Sequence, residues 1–218
     1  MDQSKKKNQL PNCCGFDYCK QKKLYYVVNA ATDEIQVYSK YFKFIKSVPF
    51  SNEFNKFKES QHHLNDLIVF NKKIFVSYFS LKGGWRKNNF DGGLAEIKLT
   101  DKKLFIKPIL KNIKMPHSPK IIENKIHLLG SFHGEFLSQE NKSMISKFPG
   151  FIRGLDFEGK FIFIGQSENM YILRMVGKSN NISCNAGIYL FDKKLKVSKF
   201  FSTPDIMNIH DLICRNVK

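Results

Sequence analysis

Asp66-Leu67-Ile68-Val69-Phe70-Asn71-Lys72-Lys73-Ile74-Phe75-Val76-Ser77 is a pair of short apolar runs separated by a polar turn. Val, Ile and Phe favour the pleated strand surface, while Asn and Lys interrupt it, so the stretch predicts an antiparallel hairpin. The same outline returns at Ser118-Pro119-Lys120-Ile121-Ile122-Glu123-Asn124-Lys125-Ile126-His127-Leu128-Leu129. It returns again at Arg153-Gly154-Leu155-Asp156-Phe157-Glu158-Gly159-Lys160-Phe161-Ile162-Phe163-Ile164, and in part at Asp211-Leu212-Ile213-Cys214-Arg215-Asn216-Val217-Lys218. The starts are 52, 35 and 58 residues apart, spacings that bracket the roughly 40 to 50 residues of a propeller blade.

Working outward, Leu24-Tyr25-Tyr26-Val27-Val28, Glu34-Ile35-Gln36-Val37-Tyr38 and Ile188-Tyr189-Leu190-Phe191 read as further strands, with Gly93–Ile97 and Leu104–Ile106 as another pair. Helical periodicity is confined to a weak stretch, Ser51–Leu64. The expected fold is all-β and propeller-like, with about four to five blades in a closed or an incomplete, shortened ring, and with a partly flexible N-terminal segment over 1–22 before a domain over 23–218. The strands near Leu24 either complete the last copy, or the ring is shortened. A β-sandwich is the alternative architecture.

Composition sets the outer limits. The chain has 218 residues, 42% of them hydrophobic and 25% charged, as in an ordinary globular protein. Mean hydropathy is −0.33, and no stretch approaches the roughly 18 apolar residues of a membrane helix. Net charge is +17, carried by 32 Lys and only four Arg. Lys is a hydrated point charge without the planar fork that grips phosphate or guanine, and here it is dispersed, so nucleic acid is a minor expectation. Five cysteines without an apolar leader point to a reducing, cytoplasmic setting. Cys13, Cys14 and Cys19 lack the paired spacing of a zinc ribbon and read as small buried hydrophobes. Neither a phosphate loop nor a GxSxG or HExxH motif occurs.

Aligning the copies on their turns places Asn65, His117, Ile152 and His210 in one column, with His63, Met115, Gly150 and Asn208 two positions earlier. Side chains two apart on a strand share a face. If each copy's first strand lines a central channel, Asn65, His117 and His210 meet there, with His63 one layer along. Imidazole and amide groups suit a polar ligand, general acid-base chemistry, or a divalent metal held by His117, His210 and Asn65. The other register reads Asp66, Ser118, Arg153 and Asp211, an ion-pair or anion-binding set. Gly83-Gly84-Trp85-Arg86 carries the only Trp beside a scarce Arg, a combination able to stack on a ligand.

Gly83-Gly84-Trp85-Arg86, Asp91-Gly92-Gly93, Met115-Pro116-His117-Ser118-Pro119, Phe148-Pro149-Gly150-Phe151-Ile152-Arg153-Gly154-Leu155 and Cys184-Asn185-Ala186-Gly187-Ile188-Tyr189, in this order, resemble an uncharacterised bacterial family of conserved hypothetical proteins. That family is a domain of unknown function with propeller-like repeats, and His63-Leu64-Asn65-Asp66 resembles its HxND segment. The resemblance runs from about residue 60 to the C-terminus and singles out Trp85, Arg86, His117 and Arg153. Gln166-Ser167-Glu168-Asn169 departs from the family's GLSK-like continuation, as does Asn208-Ile209-His210-Asp211 from its acidic and aromatic ending. The family brings no reaction.

Two functions are therefore expected. One is a binding module for a small molecule, glycan or peptide, using Trp85, Arg86, Asn65, His63 and Ser118. The other is a lactonase- or lyase-type enzyme, with His117 as acid-base group and Arg153 holding an anionic substrate.

Overall fold

The computed structural model describes residues 13–100, 103–140, 143–168 and 183–215. They form four antiparallel sheets of four strands. The first sheet is β1 (Cys13–Cys19), β2 (Leu24–Asn29), β3 (Glu34–Ser39) and β4 (Phe44–Pro49). The second is β5 (Leu64–Phe70), β6 (Lys73–Tyr78), β7 (Gly93–Leu99) and β8 (Leu104–Lys111). The third is β9 (Pro116–Ile122), β10 (Lys125–Gly130), β11 (Glu135–Ser138) and β12 (Ser143–Lys147), and the fourth β13 (Phe151–Glu158), β14 (Phe161–Ser167), β15 (Gly187–Asp192) and β16 (Val197–Ser202). Every sheet is a simple meander, each strand pairing with its neighbour in sequence. Among the described residues, no helix is long and apolar enough to cross a membrane.

The architecture is propeller-like. The apolar core consists of interfaces between successive sheets. Val28, Ile35 and Val37 meet Leu67, Val76 and Ala95 between the first two. Phe75 and Leu94 meet Ile126 and Leu128 between the second and third, and Leu129 and Phe136 meet Ile164 and Phe191 between the third and fourth. A sheet covered on both sides needs apolar residues on both faces, which is why β6 reads as an unbroken Ile74-Phe75-Val76 run without alternation. The outer strands β8 and β12 are partly exposed and carry Lys, with Pro108 in β8, residues that discourage edge pairing. This stacking excludes the sandwich.

Three sequence expectations are corrected. The strands near Leu24 do not complete the last copy, because they belong to a full sheet whose first strand, Cys13–Cys19, lies within the N-terminal segment 1–22. The helical stretch reduces to α1 (Glu53–Phe57). Of the three clustered cysteines only Cys19 is buried, while Cys13 and Cys14 are exposed.

The C-terminal copy forms no paired strand over residues 211–215, and its last three residues lie outside those described. The Asp156 carboxylate in β13 accepts the Cys214 N–H at 2.7 Å, as Asp17 in β1 accepts the Val69 N–H at 2.7 Å. Asp211 caps the Leu212 N–H and Asp66 caps the Leu67 N–H, each at 2.8 Å. Residues 211–214 thus sit against β13 as β5 sits against β1.

Candidate functional site

The first strands carry the site, and their register decides which side chains face one another. Phe70 pairs with Lys73 across an Asn71-Lys72 turn, and Ile122 with Lys125 across Glu123-Asn124. Both turns hold two residues at positive φ, as tight hairpins of this hand require. In the fourth sheet Glu158 pairs with Phe161, so the turn is Gly159-Lys160. Lys160 is a turn residue and corresponds to Lys72, not Lys73. The third copy is therefore shifted by one residue from the sequence alignment, and a one-residue slip exchanges the faces of a strand. Arg153, not Ile152, stands in the column of Asn65 and His117, and Gly154 matches Asp66 and Ser118. Ser118 and Gly154 share a left-handed backbone, φ 50° and 76°. The bulge in β1 adds Cys14 to the column.

Arg153, 4% exposed, is the hub. Its Nη2 donates to Asn208 Oδ1 at 3.0 Å and to Ser167 Oγ at 3.1 Å, and its Nη1 to His210 Nδ1 at 3.4 Å. Its guanidinium lies 5.5 Å from the Phe151 ring centroid. His117, 6% exposed, packs edge-on to Phe79 and Phe151. Its Nδ1 lies 2.9 Å from Met115 O and 2.7 Å from Ser131 Oγ. The Met115 carbonyl only accepts and so calls for a proton on Nδ1, whereas the closer Ser131 hydroxyl can either accept that proton or donate to a bare Nδ1. Burial and the Arg153 charge hold the His117 pKa well below the usual imidazole range. By the same reasoning His210 Nδ1 accepts from Arg153, leaving the proton on Nε2, and burial with Arg153 lowers its pKa too. The site thus offers two imidazoles of lowered pKa and a cation.

His63 lies against Trp85 and Phe79, at ring distances of 4.4 and 4.3 Å. Its φ of 48° turns it away from its neighbour His62, which is tied to Ser80 O and Ser51 Oγ. Burial lowers the His63 pKa to about 4, with Asp33 opposing and Arg86 assisting. Beneath these rings Phe79, Trp85, Met115, Phe132 and Phe151 form an aromatic layer.

Other sequence candidates have structural roles. Trp85 is buried and donates Nε1–H to Ser60 O at 3.0 Å, so it floors the site as well as stacking on His63. Trp85→Phe removes that bond and strands the carbonyl, an expected loss of about 1–2 kcal/mol in urea unfolding. Arg86 stacks on Trp85 and pairs with Glu59 at 3.7 Å, exposed at the rim. Ser118 Oγ accepts the Gly154 N–H at 2.9 Å, joining β9 to β13. Asn65 donates Nδ2–H to Pro116 O at 3.2 Å, joining β5 to β9. The Asp91-Gly92-Gly93 motif is architectural: Asp91 holds the Leu81 N–H and Ser80 hydroxyl, and a Cβ at Gly92 would lie 2.6–2.7 Å from three carbonyls.

Of the expected metal set, His210 Nδ1 faces Arg153 and the Asn65 amide is engaged by Pro116 O. Among the described residues no three His, Cys, Asp or Glu side chains converge as ligands, and the Arg153 guanidinium lies against His210. A divalent cation would meet that fixed positive charge at close range.

Sequence reasoning missed Phe79, Phe151, Ser131, Ser167 and Asp33. Ser131 and Ser167 hold equivalent places just beyond or at the end of a second strand, bracing His117 and Arg153 respectively. Their common offset from the hairpin turn is a readable signal once the register is right. Asp33 lies in the β2–β3 turn and accepts from Gln61 N, His62 N, Ser60 Oγ and Leu64 N, at 2.5 to 3.3 Å. It fixes the segment that presents His63.

Solved structures of similar shape support the fold alone. The extracellular domain of a protein described as a one-component system from B. thetaiotaomicron aligns with a TM-score of 0.50 and 12% identity, over 87% of this chain and 23% of that one. A luciferin-regenerating enzyme aligns with a TM-score of 0.50 and 10% identity, over 94% of this chain and 81% of that one. Drosophila semaphorin 1a, domains 1–2, gives a TM-score of 0.46 at 10% identity, over 82% and 36%. This chain therefore spans well under half the length of two of these three. No curated protein matches the sequence. Residues 16–185, which contain most of the site, match one family throughout, and the chain belongs to DUF4915, a domain of unknown function.

Proposed function

We propose that this protein binds a small hydroxylated anion, such as a sugar acid, where the first strands converge on Arg153. The observation that carries the reading is the clustering of His117 with Arg153, an imidazole beside a guanidinium suited to a carboxylate. In the tautomer that donates Nδ1–H to Met115 O, Nε2 accepts from a ligand hydroxyl. His63, seated on Trp85 and Phe79, supplies a part-exposed ring for a sugar face. We further read residues 211–214 as the inner strand of a fifth sheet position around this channel.

The enzymatic alternative keeps His117 and Arg153 as catalytic groups, but a buried imidazole of strongly lowered pKa is a weak base at neutral pH. Binding is the better use of it. D-glucuronate titrated by calorimetry and NMR is the test. Saturable binding, with shifts at His63 and His117 and at least tenfold loss in His63→Ala, is expected. D-glucose, which lacks the carboxylate, binds at least tenfold more weakly. Equal affinity for both sugars, or unchanged affinity in His63→Ala, removes the reading.

A further inference from the structure

A second cavity lies between the first two sheets, around the hairpin turns that end β1 and β5. These turns are at the opposite ends of those strands from the residues that introduce His63. Its volume is about 390 Å³, within the ~300–1,000 Å³ of small-molecule sites. The floor is the outward continuation of the inter-sheet core: Leu24, Tyr26, Val37, Ile74, Ile97 and Leu99.

The rim has the opposite character. Lys22, Lys46, Lys72, Lys73 and Lys98 surround the opening, with Glu96 the one carboxylate among the lining residues. Glu96 is bound to Lys73 at 3.0 Å, and Lys46 donates to Thr100 O at 3.1 Å. Lys22, Lys72 and Lys98 are exposed on three different segments whose chain positions are fixed by the two hairpins and β7. An apolar floor beneath a ring of ammonium groups matches a molecule with an aliphatic body and an anionic head. Neither half suffices alone: a free anion gains nothing from Ile74 and Ile97, and an uncharged hydrocarbon gains nothing from the lysines.

We propose that this cleft is a binding site for a monomeric amphiphilic anion, its chain on Tyr26, Ile74 and Ile97 and its head among Lys22, Lys72 and Lys98. The inference is independent of the sugar-acid site, which shares no residue with it.

Sodium decanoate, well below its micellar concentration, is the probe, followed by calorimetry and methyl NMR. One equivalent should bind, shifting the Ile74, Ile97 and Leu99 methyls, and affinity should fall with added salt. Decan-1-ol and inorganic phosphate should each bind at least tenfold more weakly. The variant Lys22→Gln/Lys72→Gln/Lys98→Gln changes only exposed side chains, so it should keep the fold while losing at least tenfold in decanoate affinity and none for decanol. Ile97→Trp, which fills the floor, should abolish binding of the chain. Decanol binding as tightly as decanoate, an unaffected triple variant, or decanoate shifts located elsewhere would each overturn the proposal.

Discussion

Asp33→Ala should destabilise the protein by about 4 kcal/mol, measured by urea unfolding followed by circular dichroism. Asp33 is 1% exposed and receives four hydrogen bonds, three from backbone N–H groups of Gln61, His62 and Leu64 and one from the Ser60 hydroxyl. A hydrogen bond to a charged group contributes roughly 1.5–3 kcal/mol, and each stranded buried donor costs about 1–3. Those terms overlap, so their full sum is not reached. Asp33→Asn keeps the shape but places an NH₂ group against N–H donors, and should lose about half as much. The effect is also spatially specific. Amide exchange should accelerate at residues 60–64 before it does in β9 or β13, because the turn of the first sheet is what clamps the entry to β5. A loss below 1 kcal/mol in Asp33→Ala would show that the clamp is replaceable.

The second large effect is a stability optimum near pH 6.5. His63 has a folded pKa of about 4 against 6.5 in the unfolded chain, and the His117 pKa is also held well below the usual imidazole range. Between those values the unfolded chain takes up protons that the folded one refuses, so stability is complete above 6.5 and falls as pH drops toward 4. His127, His133 and His210 are shifted the same way. Asp66 is displaced oppositely, from 3.8 to about 8, chiefly by burial, with Asp211 and Asp17 adding to the rise and the Leu67 N–H and Lys120 resisting it. The folded state retains its proton where the unfolded chain has lost it, so this contribution is complete below 3.8 and is lost as pH rises to 8. Below 6.5 the histidines outnumber the aspartate and stability climbs with pH; from 6.5 to 8 the Asp66 slope dominates, and the raised thiols of Cys13, Cys14 and Cys214 add to it at higher pH. Each limb is on the order of 2 kcal/mol, reduced from the full shift because both groups touch solvent. Thermal melts from pH 4 to 9 should show the maximum. Asp66→Asn should flatten the alkaline side and His63→Ala should shallow the acid side. A melting temperature that rises steadily from pH 6.5 to 8 would contradict the assignment of Asp66.

Much of the fold is legible in residues such as Ile74-Phe75-Val76 and Ile162-Phe163-Ile164, because a central strand covered on both faces has to be apolar throughout. The first strand is not legible, since Cys13-Cys14-Gly15-Phe16-Asp17-Tyr18-Cys19 holds no β-branched residue. Its position is set by tertiary contacts, including a Gly15 so close to Asp66 that a Cβ would collide with it. The column of His117 and His210 is visible in sequence, and Arg153 joins them through His210. The sequence alignment puts Arg153 on the other face because Lys160 imitates Lys73 and Lys125, while Gly159 alone takes the positive φ in that turn. Asp33 and Ser131 are hidden for another reason. Their partners lie 27 and 14 residues away, and nothing in Thr32-Asp33-Glu34 separates a clamp from an ordinary turn.

The aromatic layer has one more consequence, an optical one. The chain contains a single indole, and it rests on the His63 imidazole. Ultraviolet emission selected for tryptophan therefore reports from one spot, without background from the sheets. Imidazolium quenches an adjacent indole far more than neutral imidazole does, so brightness should drop in acid with a midpoint near the His63 value of about 4. The molecule carries its own fluorescent gauge at the place where occupancy would have to be read.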